Sequence, residues 1–165
     1  MNRRHWLRNA ALLTAFGWGS VRAEETADGA ADLQRRWQSF LPPQHDLSLD
    51  LTPLQRSKDE WQKLLPGDSY AVLFEEATEP PFTSGFNHEK RPGLFLCRAC
   101  RLPLFSSIPG HLAQRRDFKI FIPRTEYHCV RCGGHQGHVF DDGPAPTRQR
   151  WCNNGVALSF LPQTA

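Results

Sequence analysis

The sequence predicts a small, mostly β domain built from antiparallel sheets, with short helices on its N-terminal side and a zinc site made by four cysteines. Three observations carry this prediction. Short apolar runs recur between Pro, Gly and Asn breaks from about residue 70 onward. Two C-x-x-C pairs, Cys97-Arg-Ala-Cys100 and Cys129-Val-Arg-Cys132, stand 28 residues apart. The helical signals are confined to the residues before Pro66.

Residues 1–23, MNRRHWLRNAALLTAFGWGSVRA, have a basic start, an apolar run from Ala10 to Trp18 and small residues ending at Ala23. That is the layout of an export signal cleaved after Ala23, with an apolar run too short to anchor the chain in a bilayer. Arg3-Arg4 followed by His5-Trp6-Leu7 resembles the twin-arginine signal, which sends folded proteins across the bacterial inner membrane; the expected location is the periplasm. A thiolate metal site is best assembled in a reducing compartment before export.

Residues 24–56 read as a leader, with one amphipathic helix over Ala31–Leu41 stopped by Pro42-Pro43. Trp37 and Phe40 are its candidates for covering a pocket. The domain then runs over 57–165. It opens with the capping pattern Ser57-Lys58-Asp59-Glu60 ahead of Trp61 and Leu64-Leu65, and Pro66-Gly67-Asp68 breaks that helix. The expected strands are Tyr70–Phe74, Leu94–Cys97, Leu104–Ser107, Phe118–Pro123, Tyr127–Val130 and Trp151–Phe160.

Each C-x-x-C pair can present two thiolates from one tight turn, and Gly133-Gly134 gives the second turn backbone freedom. Two such turns facing each other form a closed tetrahedral sulfur site for Zn2+, with Cys97, Cys100, Cys129 and Cys132 as ligands. The rival reading is two disulfides, since export leads to an oxidising compartment, but a C-x-x-C disulfide closes too small a loop to stabilise much. Cys152 is the fifth and unpaired cysteine. Arg150 lies two residues before it and Asn154 two after, so on a strand the three would form one row, and the guanidinium would favour the nucleophilic thiolate. The plain structural alternative is a small buried core residue.

The stretch Cys129-Val-Arg-Cys132-Gly-Gly-His135-Gln-Gly-His138-Val-Phe140-Asp141-Asp142-Gly143-Pro144, followed by Arg150-Trp151-Cys152-Asn153-Asn154, resembles the methionine sulfoxide reductase B family. So do Glu76-Ala-Thr-Glu79-Pro80-Pro81-Phe82-Thr83-Ser84-Gly85, and Leu94-Phe-Leu-Cys97 leading to Leu104-Phe105-Ser106-Ser107. The resemblance spans roughly residues 57–162 with the motifs in the family's order. It implies thiol-dependent reduction of the R epimer of methionine sulfoxide, free or in exported proteins. In that chemistry a Cys152 thiolate attacks the sulfoxide sulfur, His135 and His138 carry the proton to the oxygen, and Arg150 and Asn154 shape the pocket. Cys152 is left as a sulfenic acid, and the four knuckle cysteines hold zinc.

The sequence departs from the family between the knuckles. Arg101–His128 contains neither a tryptophan nor the family's Gly-Trp-Pro-Ser-Phe segment, which supplies a wall for the sulfoxide methyl group and often a resolving cysteine. With four cysteines on zinc, an outside thiol, either a thioredoxin-like protein or a small molecule, must reduce the sulfenic acid. Gly155 stands where the family commonly has serine. The same fold could instead serve as a zinc-stabilised binding module or a peroxide-sensing thiol protein. Charge argues against nucleic acid as a partner: the whole chain carries +3, and removing the four arginines of residues 1–23, which hold no acid, leaves −1.

Overall fold

The computed structural model describes residues 35–41, 47, 49–104, 110–118, 123–145 and 147–163. The expected signal and residues 31–34 of the leader helix lie outside these. Among the described residues no helix is long and apolar enough to cross a membrane. The described part of the leader helix is residues 35–36 and a 3-10 turn over Trp37–Phe40.

Helix α1 (Lys58–Leu64) begins as its capping box dictates: the Ser57 hydroxyl accepts from the Glu60 N–H, and the Glu60 carboxylate accepts from the Ser57 N–H at 2.8 Å. The chain then corrects the sequence reading. Pro66-Gly67-Asp68 does not end helical structure but starts a second helix, α2 (Gly67–Glu75), which takes in the expected strand Tyr70–Phe74. Pro66 sits at the N-cap, where a missing N–H costs nothing, and Asp68 in the first turn complements the helix dipole. A short apolar run does not by itself distinguish a strand from a buried helix. Here Ser69, Tyr70, Val72 and Leu73 form the buried helical face. The helix closes with Glu76 in the left-handed region (φ 56°) and a bond from the Ala77 N–H back to the Ala71 carbonyl.

Six strands follow among the described residues: β1 (Gly93–Cys97), β2 (Leu112–Asp117), β3 (Arg124–Cys129), β4 (His135–Phe140), β5 (Arg150–Asn153) and β6 (Leu158–Pro162). They form a two-stranded sheet, β1-β6, and a four-stranded sheet in the order β2-β3-β4-β5, all antiparallel. The mostly β expectation therefore holds, with different boundaries. The run Trp151–Phe160 is not one strand: a 3-10 turn at Gly155–Ala157 divides it, and its halves enter different sheets. Leu104 is not in a strand, and residues 105–109 and 119–122 of two other expected strands lie outside the description. In their place stand β2 and β4, whose polar composition hid them.

The main core joins Val72 and Leu73 of α2 to Cys97, Leu102, Leu104, Cys129 and Ala157. A second cluster seats Leu47 of the leader against Leu94 and Leu96, with Leu41 and Leu161 at its edge. Trp37 meets His111 edge-on at 5.5 Å, beside the second knuckle, where the Val130 N–H bonds the His111 carbonyl. It thus packs away from Cys152, and the Phe40 side chain lies outside the description.

Candidate functional site

The two C-x-x-C turns share one local design. In the first, the Arg101 N–H bonds the Cys97 carbonyl at 2.8 Å with Arg101 in the left-handed region (φ 59°). In the second, the Gly133 N–H bonds the Cys129 carbonyl at 2.9 Å with Gly133 at φ 72°. Each turn therefore points two sulfurs to the same side. All four sulfurs lie within 4.8 Å of one another, with Cys97–Cys132 and Cys100–Cys129 each at 3.5 Å. Tetrahedral Zn–S bonds of about 2.3 Å place sulfurs a little under 4 Å apart, so the four residues fit such an ion. All five cysteines are free thiols. Hydrogen bonds from Cys100, Cys132 and Cys97 hold the Cys129 thiol well below its ordinary value, favouring the ligating thiolate. Gly134 belongs to this packing: a Cβ there would stand 2.8 Å from Leu73 Cδ2 and 3.3 Å from the Cys132 sulfur.

Cys152 occupies the opposite situation, exposed on the edge strand β5. Arg150 does share its face, and Nη1 donates to the Cys152 sulfur at 2.7 Å. The guanidinium is fixed by a two-point contact with Asp142 (2.9 and 2.7 Å) and lies 4.4 Å over the Phe140 ring.

The expected row nevertheless stops at Cys152. β5 ends at Asn153, so alternation no longer governs Asn154, which is buried. Its Oδ1 accepts from the Glu79 N–H at 2.9 Å, and its Nδ2 donates to the Gln136 carbonyl at 3.1 Å. The Glu79 carboxylate in turn accepts from the N–H groups of Gly155 (2.6 Å) and Val156 (3.3 Å). Asn154 thus clamps the turn that ends β5 and has no contact with the thiol.

The histidines do reach the face of Cys152. His138 is the direct cross-strand partner of Cys152, which places both side chains on one side of the sheet. His135 and His138 are three positions apart, and a regular strand would send them to opposite faces. A bulge resolves this: the register against β3 passes from Tyr127↔Gly137 to His128↔His135, leaving Gln136 unpaired. The two imidazole rings then lie 5.1 Å apart.

Two carboxylates that sequence reading missed hold these rings. Glu126, buried, meets His135 Nδ1 at 2.9 Å and accepts from Arg115 Nε at 2.6 Å. Asp117, buried, meets His138 Nε2 at 3.0 Å and accepts from Arg124 Nη2 at 2.5 Å. Burial pushes the His135 pKa down against the opposing pull of Glu126, so this ring is neutral at pH 7. His135 Nε2 is buried and has no hydrogen-bond partner. Arg124 and Glu126 fall between the expected strands Phe118–Pro123 and Tyr127–Val130 and belong to β3, and the partner of Glu126 could not be read because register is invisible in one sequence.

Trp151 points the other way, as its neighbouring position on β5 requires, and packs edge-on against Tyr127 at 4.8 Å. It does not stand in for the missing tryptophan wall. The Tyr127 hydroxyl donates to Asn153 Oδ1 and, at 3.3 Å, to the Cys152 carbonyl. A cavity of about 350 Å³ opens on that reverse side, lined by Phe86, Phe95, Tyr127, Gln136 and Trp151 among others. The Cys152 sulfur lies on the opposite face of the sheet from this cavity. An aromatic on the thiol's own face is Phe140, cross-strand from Arg150.

Comparison with known proteins agrees with this geometry. A family model described as the SelR domain matches residues 65–109 and 107–162, two stretches that meet in the shortened interval between the knuckles. The chain is similar to a peptide methionine sulfoxide reductase MsrB of Methanosarcina barkeri, 37% identical over 124 residues, which covers 65% of this chain and 87% of that protein. It is equally similar to MsrB proteins of Bradyrhizobium diazoefficiens (37% over 125 residues, 66% and 90% covered) and Agrobacterium fabrum (38% over 132 residues, 68% and 98%).

Proposed function

The chain belongs to the SelR domain family, and from that premise we propose that it reduces methionine (R)-sulfoxide in exported proteins by a one-cysteine cycle at Cys152. The observation that carries this reading is the placement of one exposed thiol beside an Arg150 donor and across from His138, with both histidines held by buried carboxylates.

Cys152 sulfur attacks the sulfoxide sulfur as a proton reaches the oxygen. The S–S bond so formed and the substrate S–O bond then break as the oxygen passes to the Cys152 sulfur, leaving a sulfenic acid and methionine, so Cys152 is oxidised by two electrons and the substrate reduced by two. In this reading His138 carries the proton, its ring oriented through Nε2 by Asp117. His135, neutral and anchored through Nδ1 by Glu126, leaves Nε2 to accept a hydrogen bond from a substrate or water. The other four cysteines face one another around the knuckles. An outside thiol must therefore attack the sulfenic sulfur, expelling water, and a second must release Cys152 with formation of the external disulfide. Zinc held by Cys97, Cys100, Cys129 and Cys132 would supply a structural crosslink and no redox chemistry. The basic, apolar N-terminal stretch supports export to the periplasm by the twin-arginine route.

The test is turnover by zinc-loaded protein, residues 24–165, with a small dithiol and separated epimers of a methionine sulfoxide peptide. Reduction of the R epimer alone, reduced about 10³-fold or more by Cys152→Ser, is expected. No turnover by folded, zinc-loaded protein would overturn the enzymatic reading in favour of a binding module.

A further inference from the structure

We infer that a polypeptide substrate docks as an added antiparallel strand on the free edge of β5, with its oxidised methionine directly opposite Cys152. This rests on the reductase reading for the identity of the substrate, but the docking geometry comes from the strand itself.

β5 is the outer strand of the β2-β3-β4-β5 sheet, and its other side is paired only to β4. The ladder register fixes which backbone groups look outward. Asn154 donates its N–H to the Gln136 carbonyl, so Gly137↔Asn153 is a non-hydrogen-bonded pair and His138↔Cys152 a hydrogen-bonded one. Cys152 and Arg150 therefore turn their N–H and C=O groups inward to β4. Trp151 and Asn153 turn theirs outward, and among the described residues these outward groups have no partner. Two donors and two acceptors thus flank the thiol along an accessible edge.

The arrangement is suited to the chemistry. An incoming antiparallel strand would exchange hydrogen bonds with Trp151 and Asn153, leaving the residue opposite Cys152 in a non-hydrogen-bonded pair. That is the pair type with the closer side chains, Cα atoms about 4.5 Å apart, and both side chains project to the same face. A methionine sulfoxide there would lie beside the Cys152 sulfur, on the face of His138. The residue after it would face Trp151 on the reverse side, where an apolar side chain can pack.

The other edge of the sheet shows that this opening is particular to β5. β2 carries Gln114, Arg115 and Arg116 along its middle, the charged dressing that discourages strand addition, whereas β5 presents Trp151 and Cys152 between Arg150 and Asn153. Every described ladder in both sheets is antiparallel, which favours that direction for the guest.

The experiment uses the zinc-loaded full domain with its leader and four pentapeptides centred on methionine (R)-sulfoxide: one unmodified, and one each N-methylated at the residue before, at, or after the sulfoxide. Methylation before or after removes a donor to Asn153 or Trp151 and is expected to lower kcat/KM about tenfold each, the scale of one lost hydrogen bond. Methylation at the sulfoxide residue itself, whose N–H would point away, is expected to change little. A parallel measurement needs no turnover: with Cys152→Ser protein, the unmodified peptide should slow amide exchange at Trp151 and Asn153. Protection of both amides without turnover would uphold the docking while sinking the reductase. Turnover with equal rates for all four peptides and no protection would overturn the docking while leaving the reductase intact. Protection that instead follows protein concentration, with dimer formation in sedimentation, would overturn it in favour of a second copy of this chain.

Discussion

The molecule keeps its sulfur in two places built on opposite terms. At the knuckle end, four thiols are drawn together by two backbone turns and sealed by Leu73, Leu102 and Leu104. At the edge of the larger sheet, Cys152 is exposed and held by charged contacts: Arg150 on its sulfur, Asp142 on Arg150. The same side chain is thus gathered with three others by backbone geometry and burial at one end, and left exposed beside a cation at the other. The difference teaches that the sulfur itself decides little. What decides is whether the backbone gathers several thiols or isolates one.

Removing the zinc proposed at the four knuckle cysteines is the most severe way to break this contrast. Chelation, or Cys129→Ser, leaves uncompensated thiols in the core, and structural zinc sites contribute on the order of 10 kcal/mol in small domains. Thermal melting followed by near-UV circular dichroism should show the folded state lost; an unchanged melting curve on full metal removal would refute a structural metal. Cys152→Ser should do the converse, leaving stability within about 0.5 kcal/mol in denaturant titration while turnover disappears. A large stability loss there would mean the edge thiol belongs to the fold.

Glu126→Gln tests a region between the two extremes, since this buried carboxylate joins His135 to Arg115. A loss of about 1–3 kcal/mol is expected from the weakened buried contacts, together with a lower kcat at near-constant KM. Equal stability and kcat would show that the carboxylate does not orient the ring. The smallest effect is a pH dependence. Burial holds the His135 pKa below its unfolded value of about 6.5, so its neutral form contributes stability that is fully present above that pH and is lost as pH falls through the folded value. Denaturation midpoints between pH 7.5 and 5 should fall more steeply for the native protein than for His135→Gln; parallel slopes would remove His135 as the cause.

What the sequence disclosed follows from which interactions are local. The capping box at Ser57, both C-x-x-C turns and the Arg150–Cys152 contact depend on residues at most three apart, and each is present as read. Asn154 was misplaced because a strand's alternation fails where the strand ends, which spacing alone does not reveal. Tyr70–Phe74 was misread because a five-residue apolar run suits either a strand or a buried helical face. Asp117 and Glu126 were missed because their meaning lies 21 and 9 residues away, across strands whose register includes a bulge. Trp151 neighbours Cys152 on β5 and so packs on Tyr127 on the opposite face, where it supplies no wall beside the thiol.

Gly155 carries a consequence for how this chain could change over time. A Cβ at that position would lie 1.9 Å from the Ser84 hydroxyl and 2.8 Å from the Ser84 Cβ, so the serine common in the family at 155 cannot simply be restored here. The segment carrying Ser84 would have to give way at the same time, disturbing the Glu79 and Asn154 clamp beside it. A side chain at 155 is therefore accommodated only if residue 84 is smaller or its segment shifts. A chimera that takes β5 and its following turn from a relative would inherit that conflict unless residues 79–85 travelled with it.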